Sequence, residues 1–399
     1  MDNDVIILST ADWDNPFWTN KQHVATELAR RGFRVLYIES IGLRRPTARR
    51  RDLTRILRRL IRSVRAPRRV HENIWVWSPL VLPAHGSALA RRLNRSLMRA
   101  GIALAIKRAR FSRGTLWTYN PLTTDLLSLS SFRAVVYHCV DDIKSAPGMP
   151  REAIQRAELQ LVQRANVVFA TARNLAETRG RSNPNTYYFS NVADYEHFAR
   201  ARDPITIVPD DLKSLPAPRI GFVGAISGYK LDFELLRKLA QARPDWSIVL
   251  IGEVGEGDPW TDISRIRGIS NLHLLGPRPY RLLPAYLKGF RVGILPNLIN
   301  DYTRSMFPMK FFEYMAAGLP VVGTQLPALA EHADVARLTV TPEEFIGAVE
   351  SELERPSTPL EVRIERARQY TYAARTDAML RIVTSVTSPP HEKSQRKPF

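Results

Sequence analysis

The chain has 399 residues, 44% of them hydrophobic, which is enough for two domains with separate cores. Its single cysteine, Cys139, excludes an internal disulfide and is typical of a reducing compartment. Residues 1–4, with the acids Asp2 and Asp4, lead directly into an apolar run, so we expect no secretory signal, and no apolar run approaches the ~20 residues that span a bilayer. The net charge of +19 is unusual, and it is unevenly distributed.

The first half of the sequence alternates short apolar runs with amphipathic stretches. A helix is predicted over residues 21–31, ended by Gly32. Alternation of this kind is typical of a doubly wound parallel sheet with helices on both faces. The predicted strands are residues 5–8, 34–38, 74–77, 115–119, 134–138 and 167–170.

Two segments carry the whole excess of positive charge. Residues 44–69 hold twelve Arg and one acid, Asp52, and residues 88–113 hold eight Lys or Arg and no acid. In both segments apolar residues recur at helical spacing, which predicts Arg-rich amphipathic helices. The first helix presents Arg55, Arg58, Arg59, Arg62 and Arg65; the second sets Leu89, Leu93, Leu97 and Leu104 against Arg91, Arg92, Arg95 and Arg99.

Three different roles could explain these Arg-rich helices. An Arg-rich amphipathic helix suits an anionic membrane surface, where each basic residue contributes about 1 kcal/mol. The helices could also be ordinary solvated elements that pack on their own domain through the apolar stripe. Nucleic acid is the third option, but neither a recognition module nor a base-stacking pattern accompanies the charge. We expect the membrane surface and no nucleic acid.

The second half begins after a polar stretch with four prolines, residues 200–218, which is typical of a linker. Further strands are predicted at residues 220–225, 247–251, 272–275 and 292–295. The predicted parts are a first domain over residues 1–200, a linker over 201–218, a second domain over 219–358, a helix over 359–388 that returns to the first domain, and a disordered tail over 389–399.

Residues 307–322, FPMKFFEYMAAGLPVV, carry the most chemical information. Pro308 precedes a short predicted helix with Lys310 and Glu313, and Gly318 with Pro320 ends it before a strand. At the carboxyl edge of a parallel sheet, such a helix start attracts phosphate, Lys310 adds charge, and Glu313 can accept hydrogen bonds from a ribose diol. The alternative is a surface helix with an i, i+3 ion pair.

A glycine-containing turn follows the first strand of the second domain. Gly224 and Gly228 bracket this turn, where the missing side chains would let a diphosphate approach the backbone. Alone, such a turn more often means only a tight bend. It gains weight from the motifs around it.

The motifs IGFVGAIS, NLHLLGPRPY and PMKFFEYMAAGLPVV together resemble nucleotide-sugar-dependent glycosyltransferases of the GT-B architecture. The group most similar in pattern builds bacterial cell-surface polysaccharides and includes the glucuronosyltransferases of teichuronic acid and xanthan assembly. The resemblance implies an α/β fold of two Rossmann-like parallel-sheet domains facing across a cleft. It also implies a UDP- or GDP-sugar donor and a lipid-linked or glycan acceptor. We expect no cofactor and no divalent metal, because Lys310 and backbone dipoles would take the place of the metal.

The same resemblance assigns donor-site roles in the second domain. It implies Glu313 for the ribose, and Lys310 with the Gly224 turn for the diphosphate, assisted by Lys230. The Gly276-Pro277-Arg278 loop would lie near the base, with Tyr302 and Met309 as further candidates for the pocket. One departure concerns mechanism: many retaining relatives have a second Glu eight positions before Glu313, and here that residue is Ser305.

Residues 135–142, VVYHCVDD, supply the candidate catalytic groups of the first domain. The resemblance favours an Asp here as the base that an inverting transferase requires. We expect Asp141 to be the base, Asp142 to cap the next helix and His138 to position groups. Exchange of the two Asp roles and a retaining mechanism both stay open.

The loop after the first strand carries three aromatic residues, Trp13, Phe17 and Trp18. They could stack on an acceptor sugar or enter lipid headgroups, or they could pack in the core. The predicted function is a glycosyltransferase of cell-surface polysaccharide synthesis, in the cytoplasm and peripherally bound to the inner face of the plasma membrane. The alternatives are a nucleotide-sugar 2-epimerase, which has no use for Arg-rich helices, and a non-catalytic basic surface-binding protein.

Overall fold

The computed structural model describes residues 3–15, 18–41, 66–80 and 88–387, without the side chains of residues 88, 90 and 91. Several predictions concern residues outside these ranges: Phe17, the first Arg-rich helix with Arg55, Arg58, Arg59 and Arg62, and the tail from residue 389. Within the described ranges, no helix combines the length and the apolar character needed to span a membrane.

The chain forms two compact units. The first contains residues 1–189 and 375–399, and the second contains residues 190–374. The predicted boundary at residue 200 is therefore about ten residues late, and the predicted linker, 201–218, belongs to the second unit. Its Leu212 is fully buried, and a Cβ added at Gly289 would meet the Leu212 side chain, so this segment packs on its unit instead of running free.

An eight-stranded sheet forms the first unit, in the order β3-β4-β2-β1-β5-β6-β7-β8. All neighbours are parallel except β3 and β4. The strands are β1 Asp4–Leu8, β2 Arg34–Ile38, β3 Arg68–His71, β4 Ile74–Trp77, β5 Thr115–Thr118, β6 Ala134–Cys139, β7 Val167–Ala170 and β8 Thr186–Tyr188. The helices are α1 Asn20–Arg30, α2 Ala88–Ala109, α3 Thr123–Leu126, α4 Arg151–Arg164 and α5 Arg173–Gly180.

A six-stranded, all-parallel sheet forms the second unit, in the order β11-β10-β9-β12-β13-β14. Its strands are β9 Arg219–Val223, β10 Ser247–Ile251, β11 Leu272–Leu274, β12 Val292–Leu295, β13 Val321–Thr324 and β14 Arg337–Thr339. The helices are α6 Tyr195–Ala199, α7 Asp210–Lys213, α8 Phe233–Ala242, α9 Leu283–Lys288, α10 Lys310–Ala316, α11 Pro342–Glu354, α12 Leu360–Gln369 and α13 Tyr372–Thr387.

The C-terminal part returns to the first unit, as predicted, but it is two helices and not one. α12 ends at Gln369 and α13 begins at Tyr372, and the chain enters the first unit at Arg375. Met379 and Val383 of α13 are buried among residues of β1, β2 and α1. The return therefore completes one face of the first core.

The second Arg-rich helix forms, as α2, but its leucine stripe does not pack on the core. Leu89, Leu93 and Leu104 are exposed, and Leu97 is half-buried. The buried face lies on the other side of the helix and consists of Asn94, Met98, Ile102, Ala105 and Ile106. The alternative in which the leucine stripe packs α2 on its own domain is therefore contradicted, because this second row of residues is the buried one.

Candidate functional site

α10, the helix of the FPMKFFEYMAAGLPVV segment, begins at Lys310 directly after the loop that follows β12. It ends as predicted: the amide of Leu319 donates to the carbonyl of Tyr314 and that of Gly318 to Met315, with Gly318 at φ 89°. This left-handed cap needs glycine. Six of the seven residues of α10 are buried, so the surface-helix alternative is wrong.

Lys310 and Glu313 form an ion pair, with 2.5 Å between Lys310 Nζ and Glu313 Oε2. Glu313 is only 3% exposed. Burial raises the pKa of the Glu313 carboxyl above its usual value, and the charge of Lys310 opposes this rise without cancelling it. A buried carboxylate held by one cation keeps acceptor capacity for a ligand hydroxyl.

Lys230 lies across the switch point of the second sheet from Lys310. β9 and β12 are adjacent strands whose connections leave in opposite directions, so the loops after them border the usual ligand crevice. Lys230 follows β9, and its carbonyl accepts a hydrogen bond from the amide of Leu298 in the loop after β12, at 2.9 Å. These two loops thus bring both predicted lysines to the carboxyl edge of the sheet.

Tyr302 belongs to this lysine environment. Its ring lies 4.9 Å from the ring of Tyr229, and Lys230 Nζ lies 5.4 Å from the centre of the Tyr302 ring. Tyr302 is buried, whereas Met309, the residue before α10, is half-buried. The sequence prediction named Tyr302 without its partner Tyr229.

Glu256, in the loop after β10, was missed by the sequence interpretation. Burial raises its pKa, while the charges of Lys230 and Lys310 act in the opposite direction. Because one carboxyl senses both lysines, the three side chains share one electrostatic environment. The signal available in the sequence was the position of Glu256 in a glycine-rich turn after a buried strand.

Three glycines bring the loops of β9, β10 and β11 into contact. The amide of Gly252 donates to the carbonyl of Gly276 at 3.1 Å, and a Cβ added at Gly252 would lie 1.8 Å from the carbonyl oxygen of Gly224. No side chain fits at this approach. Gly224 is therefore part of a packed glycine layer, and its importance exceeds that of a simple bend.

The sequence interpretation also missed a cluster near Glu313, which consists of His197, Tyr280 and Asp194. The ring of His197 stacks on that of Tyr280 at 4.2 Å, and Tyr280 Oη donates to Asp194 Oδ2 at 3.4 Å. Burial raises the pKa of Tyr280, and the charges of Glu313 and Asp194 raise it further. Tyr280 stands two residues after Arg278, at the end of the NLHLLGPRPY motif.

Arg278 itself is engaged elsewhere. Its guanidinium donates to Asp211 Oδ2 at 2.6 Å and to Tyr286 Oη at 2.7 Å. These contacts tie the loop after β11 to α7 in the segment predicted as a linker. The place of the Gly276-Pro277-Arg278 loop near the base stays a prediction.

The two candidate acids of the first unit lie after β6, at the carboxyl edge of its sheet. Asp142 is buried and accepts hydrogen bonds from Ser145 Oγ at 2.6 Å and from Arg179 Nη2 at 3.0 Å. Arg179 also pairs with the buried Glu158 at 2.9 Å. Burial alone would raise the pKa of Asp142, but these hydrogen bonds outweigh it and the pKa lies below the usual value.

Asp141 is only half-buried, and Asp142 precedes a short 3-10 turn at Ile143–Ser145. The Asp142 carboxylate makes no capping hydrogen bond to a backbone amide of this turn; it accepts from Ser145 Oγ, while the Ser145 amide donates to the Asp142 backbone carbonyl. These contacts with Ser145 and Arg179 support a structural role for Asp142. Assignment of Asp141 as the base stays a prediction.

His138 is fully buried, and burial lowers its pKa well below the usual value. Trp117 Nε1 donates to His138 Nδ1 at 3.4 Å, and the Tyr119 ring stacks on the imidazole at 4.8 Å. Because an indole only donates, Nδ1 is the acceptor and the neutral ring carries its hydrogen on Nε2. His138 is thus a neutral group, suited to positioning and unsuited to proton transfer near neutral pH.

Trp13 is a core residue, so of the three roles considered for the aromatic loop, core packing holds for Trp13 and the membrane or acceptor contact does not. It is 9% exposed, its ring lies 5.1 Å from that of Tyr37, and its amide donates to Glu39 Oε1 at 2.9 Å. Trp18 is half-buried and lies 5.4 Å from Trp13. The aromatic loop therefore packs inward at Trp13, because the ring fills space beside β2.

Known proteins resemble this chain in sequence and in fold. Residues 217–355 match the family model of glycosyl transferases group 1. The second unit carries a group 1 glycosyltransferase domain. A curated relative, named "Putative teichuronic acid biosynthesis glycosyltransferase TuaH" from Bacillus subtilis, is 31% identical over 237 residues. The alignment covers 55% of this chain and spans 57% of that relative.

Solved structures extend the fold comparison to both units. Sucrose-phosphate synthase from Thermosynechococcus elongatus superposes with a TM-score of 0.70 at 15% identity, covering 96% of this chain and 98% of that one. HepE from Anabaena in complex with UDP gives 0.64 at 15% identity, with 96% and 99% covered. The GT-B fold and the family resemblance predicted from the sequence are confirmed.

Proposed function

We propose that this group 1 glycosyltransferase transfers a sugar from a UDP- or GDP-sugar to a lipid-linked or glycan acceptor in cell-surface polysaccharide synthesis. The observation that carries the donor assignment is the pair of half-buried Lys310 and buried Glu313 at the switch point of the second sheet, with Lys230 on the adjacent loop. HepE, which has the same fold, was solved with UDP, and TuaH is named for teichuronic acid synthesis. Both support this reading.

The proposed roles follow from chemistry. Lys310 and Lys230 neutralise the diphosphate, and Glu313 accepts the ribose hydroxyls. Asp141 takes the proton of the acceptor hydroxyl as the new glycosidic bond forms and the nucleoside diphosphate leaves. We further propose a peripheral location at the inner face of the plasma membrane, where a lipid-linked acceptor is available.

Calorimetry with UDP, GDP and their nucleosides tests the donor site. Lys310→Ala should weaken diphosphate binding more than nucleoside binding, and Glu313→Ala should weaken both, each by about 1.5 to 3 kcal/mol. Arg237→Ala is the matched control, because Glu234–Arg237 is also an i, i+3 pair but faces solvent. Unchanged affinity in both site variants would refute the assignment.

We propose that donor binding needs no divalent metal, since two lysines supply the positive charge. A chelator should leave the rate of transfer unchanged. Loss of activity in chelator, restored by Mn²⁺, would show that a metal takes part and that the lysines are insufficient.

A further inference from the structure

α2 exposes an apolar stripe within a strongly basic helix. Its 22 residues contain six Lys or Arg and no acid. Leu89, Leu93 and Leu104 are 77%, 47% and 43% exposed. At about 100° per residue these leucines fall within roughly 60° of one another around the helix, so they form one stripe.

The flank of this stripe is basic. Arg92 and Arg99 are exposed and lie roughly 60° to 80° to one side of Leu89 around the helix. Apolar side chains that point into solvent, bordered by cations, are the pattern of a helix that lies in a lipid–water interface. A helix that faces only water gains nothing from three exposed leucines.

Arg99 also lines two adjoining cavities of about 310 Å³ and 570 Å³, which share Leu127, Ser128 and Phe132. No lining residue of either cavity is acidic. Hydroxyl donors from Ser128, Ser130 and Ser131 accompany the cations. The five arginines of the lining are Arg95, Arg99, Arg113, Arg133 and Arg164.

These cavities, the arginine pocket, lie at the amino edge of the first sheet. Arg113 comes shortly before β5, Arg133 immediately before β6, and Asn166 immediately before β7. Asp141 follows β6, at the opposite edge. The arginine pocket is therefore separate from the candidate catalytic groups.

Among the described residues that line the arginine pocket, no carboxylate offsets the positive charge. Within the described ranges, none of its five arginines forms an ion pair. Arg95 donates to the backbone carbonyls of Asp125 and Thr124, and Arg113 lies over the Phe132 ring at 6.0 Å. Arginines grouped beside serine hydroxyls match the donor pattern that binds phosphate.

We propose that this surface docks the protein on an anionic phospholipid bilayer: lipid phosphate groups occupy the arginine pocket while the leucine stripe of α2 enters the acyl region. The arginines favour an anionic surface because of charge complementarity. The leucine stripe favours a bilayer over nucleic acid, because nucleic acid has no apolar layer for these side chains to enter. This deepens the proposed membrane location by naming its contact surface. It does not depend on the donor site.

Vesicle sedimentation tests the proposal, with phosphatidylcholine vesicles containing or lacking phosphatidylglycerol. Arg99→Gln, Arg133→Gln and Arg164→Gln together should weaken binding to anionic vesicles on the order of a hundredfold at low salt. Leu89→Ser, Leu93→Ser and Leu104→Ser together should weaken it at least about tenfold. All six residues are at least partly exposed, so the substitutions spare the core.

Matched controls remove the same groups from the second unit. Lys213→Gln, Arg267→Gln and Arg355→Gln change the charge equally, and Ile205→Ser, Ile207→Ser and Leu360→Ser remove exposed apolar side chains. Neither control should alter vesicle binding. A nitroxide at Leu93→Cys should gain oxygen accessibility on vesicles, which reports insertion without relying on a loss of binding.

Each contrary outcome has a distinct meaning. Absent vesicle binding, or equal binding to neutral vesicles, would overturn the membrane contact itself. Anionic binding that survives both the arginine variant and the leucine variant would place the contact elsewhere and overturn the proposal. Loss only in the arginine variant, with full competition by inorganic pyrophosphate or by a short RNA, would identify a free phosphate or a nucleic-acid site. The affinities of the same variants for UDP and GDP should not change. A negative result for the membrane contact can therefore be told apart from a negative result for the donor site.

Discussion

Lys310 Nζ lies 2.5 Å from Glu313 Oε2, yet the pKa of Glu313 is raised, because burial outweighs the attraction of a single cation. The attraction of Lys310 therefore does not fully offset the cost of burying the Glu313 carboxylate. In the proposed donor complex, a diphosphate that draws Lys310 toward itself would leave Glu313 needing new hydrogen bonds, which the ribose hydroxyls would supply. Under this proposal the donor would replace the Lys310–Glu313 contact with several contacts.

The raised pKa of Glu313 predicts pH-dependent donor affinity. Its carboxylate form accepts hydroxyl hydrogen bonds better than its protonated form, so affinity should fall as the pH drops through a window that starts above the ordinary value of 4.5. Calorimetry of UDP and GDP across pH 4.5 to 8 measures this. Glu313→Gln should bind more weakly at neutral pH and lose this part of the dependence, while titration of the diphosphate itself is common to both proteins. Parallel curves would contradict the prediction.

The glycine layer predicts a steric defect. Gly252→Ala would place a Cβ 1.8 Å from the carbonyl oxygen of Gly224, so the loops after β9 and β10 must separate. We expect a loss of about 1 to 3 kcal/mol in the free energy of unfolding and weaker donor binding. Gly347→Ala, in the helix Pro342–Glu354 with no atom near its Cβ, should instead stabilise by roughly 0.5 to 1 kcal/mol. Denaturant unfolding distinguishes the two.

Substitutions of the two acids after β6 should have different effects, on stability for Asp142 and on catalysis for Asp141. Asp142→Asn removes a charged acceptor from Ser145 and Arg179, and since Glu158 still holds Arg179 we expect a loss of about 1 to 3 kcal/mol in stability. Because the pKa of Asp142 is lowered, its contribution is present above about pH 3.8 and disappears as the pH falls below it. The wild type should lose this part of its stability in acid, and the variant should not.

Asp141→Asn should keep stability and lower kcat by roughly 10² to 10⁴ with little change in donor affinity. Steady-state kinetics with calorimetry as a control measures both. The reverse pattern would exchange the two roles. Normal turnover in both variants would place the base elsewhere or indicate retention of configuration, which NMR of the product's anomeric centre would decide.

Buried strands were predictable from the sequence because a parallel strand covered on both faces is a continuous apolar run. The interior strands, such as β1, β7 and β12, appear within a residue or so of the predicted bounds. The missed strands, β3, β8 and β14, are all sheet edges of three or four residues. An edge strand needs neither length nor apolar character, because its pairing partner determines it.

The candidate site was predictable where one segment contains it and not where several loops assemble it. Lys310, Glu313 and Gly318 occupy a single helix with its terminator. His197 and Tyr280 are in contact although 83 residues separate them in the sequence. Glu256 comes near Lys230 and Lys310 only because the order of strands in the sheet brings their loops together. The sequence also left open which face of α2 is buried. The helix has two apolar rows, and only packing in the folded protein determines which of them faces the core.

His138 leads to a last prediction, on the pH dependence of stability. Burial lowers its pKa, so the folded state holds it neutral while the unfolded chain takes up a proton as the pH falls below about 6.5. This contribution is therefore full above that pH and is lost as the pH falls. His138→Gln should be less stable at pH 8 but lose less stability between pH 7 and pH 5, as measured by the denaturant midpoint. An unchanged slope in His138→Gln would mean that this imidazole takes up its proton in the folded protein as well, and would reopen a proton-transfer role.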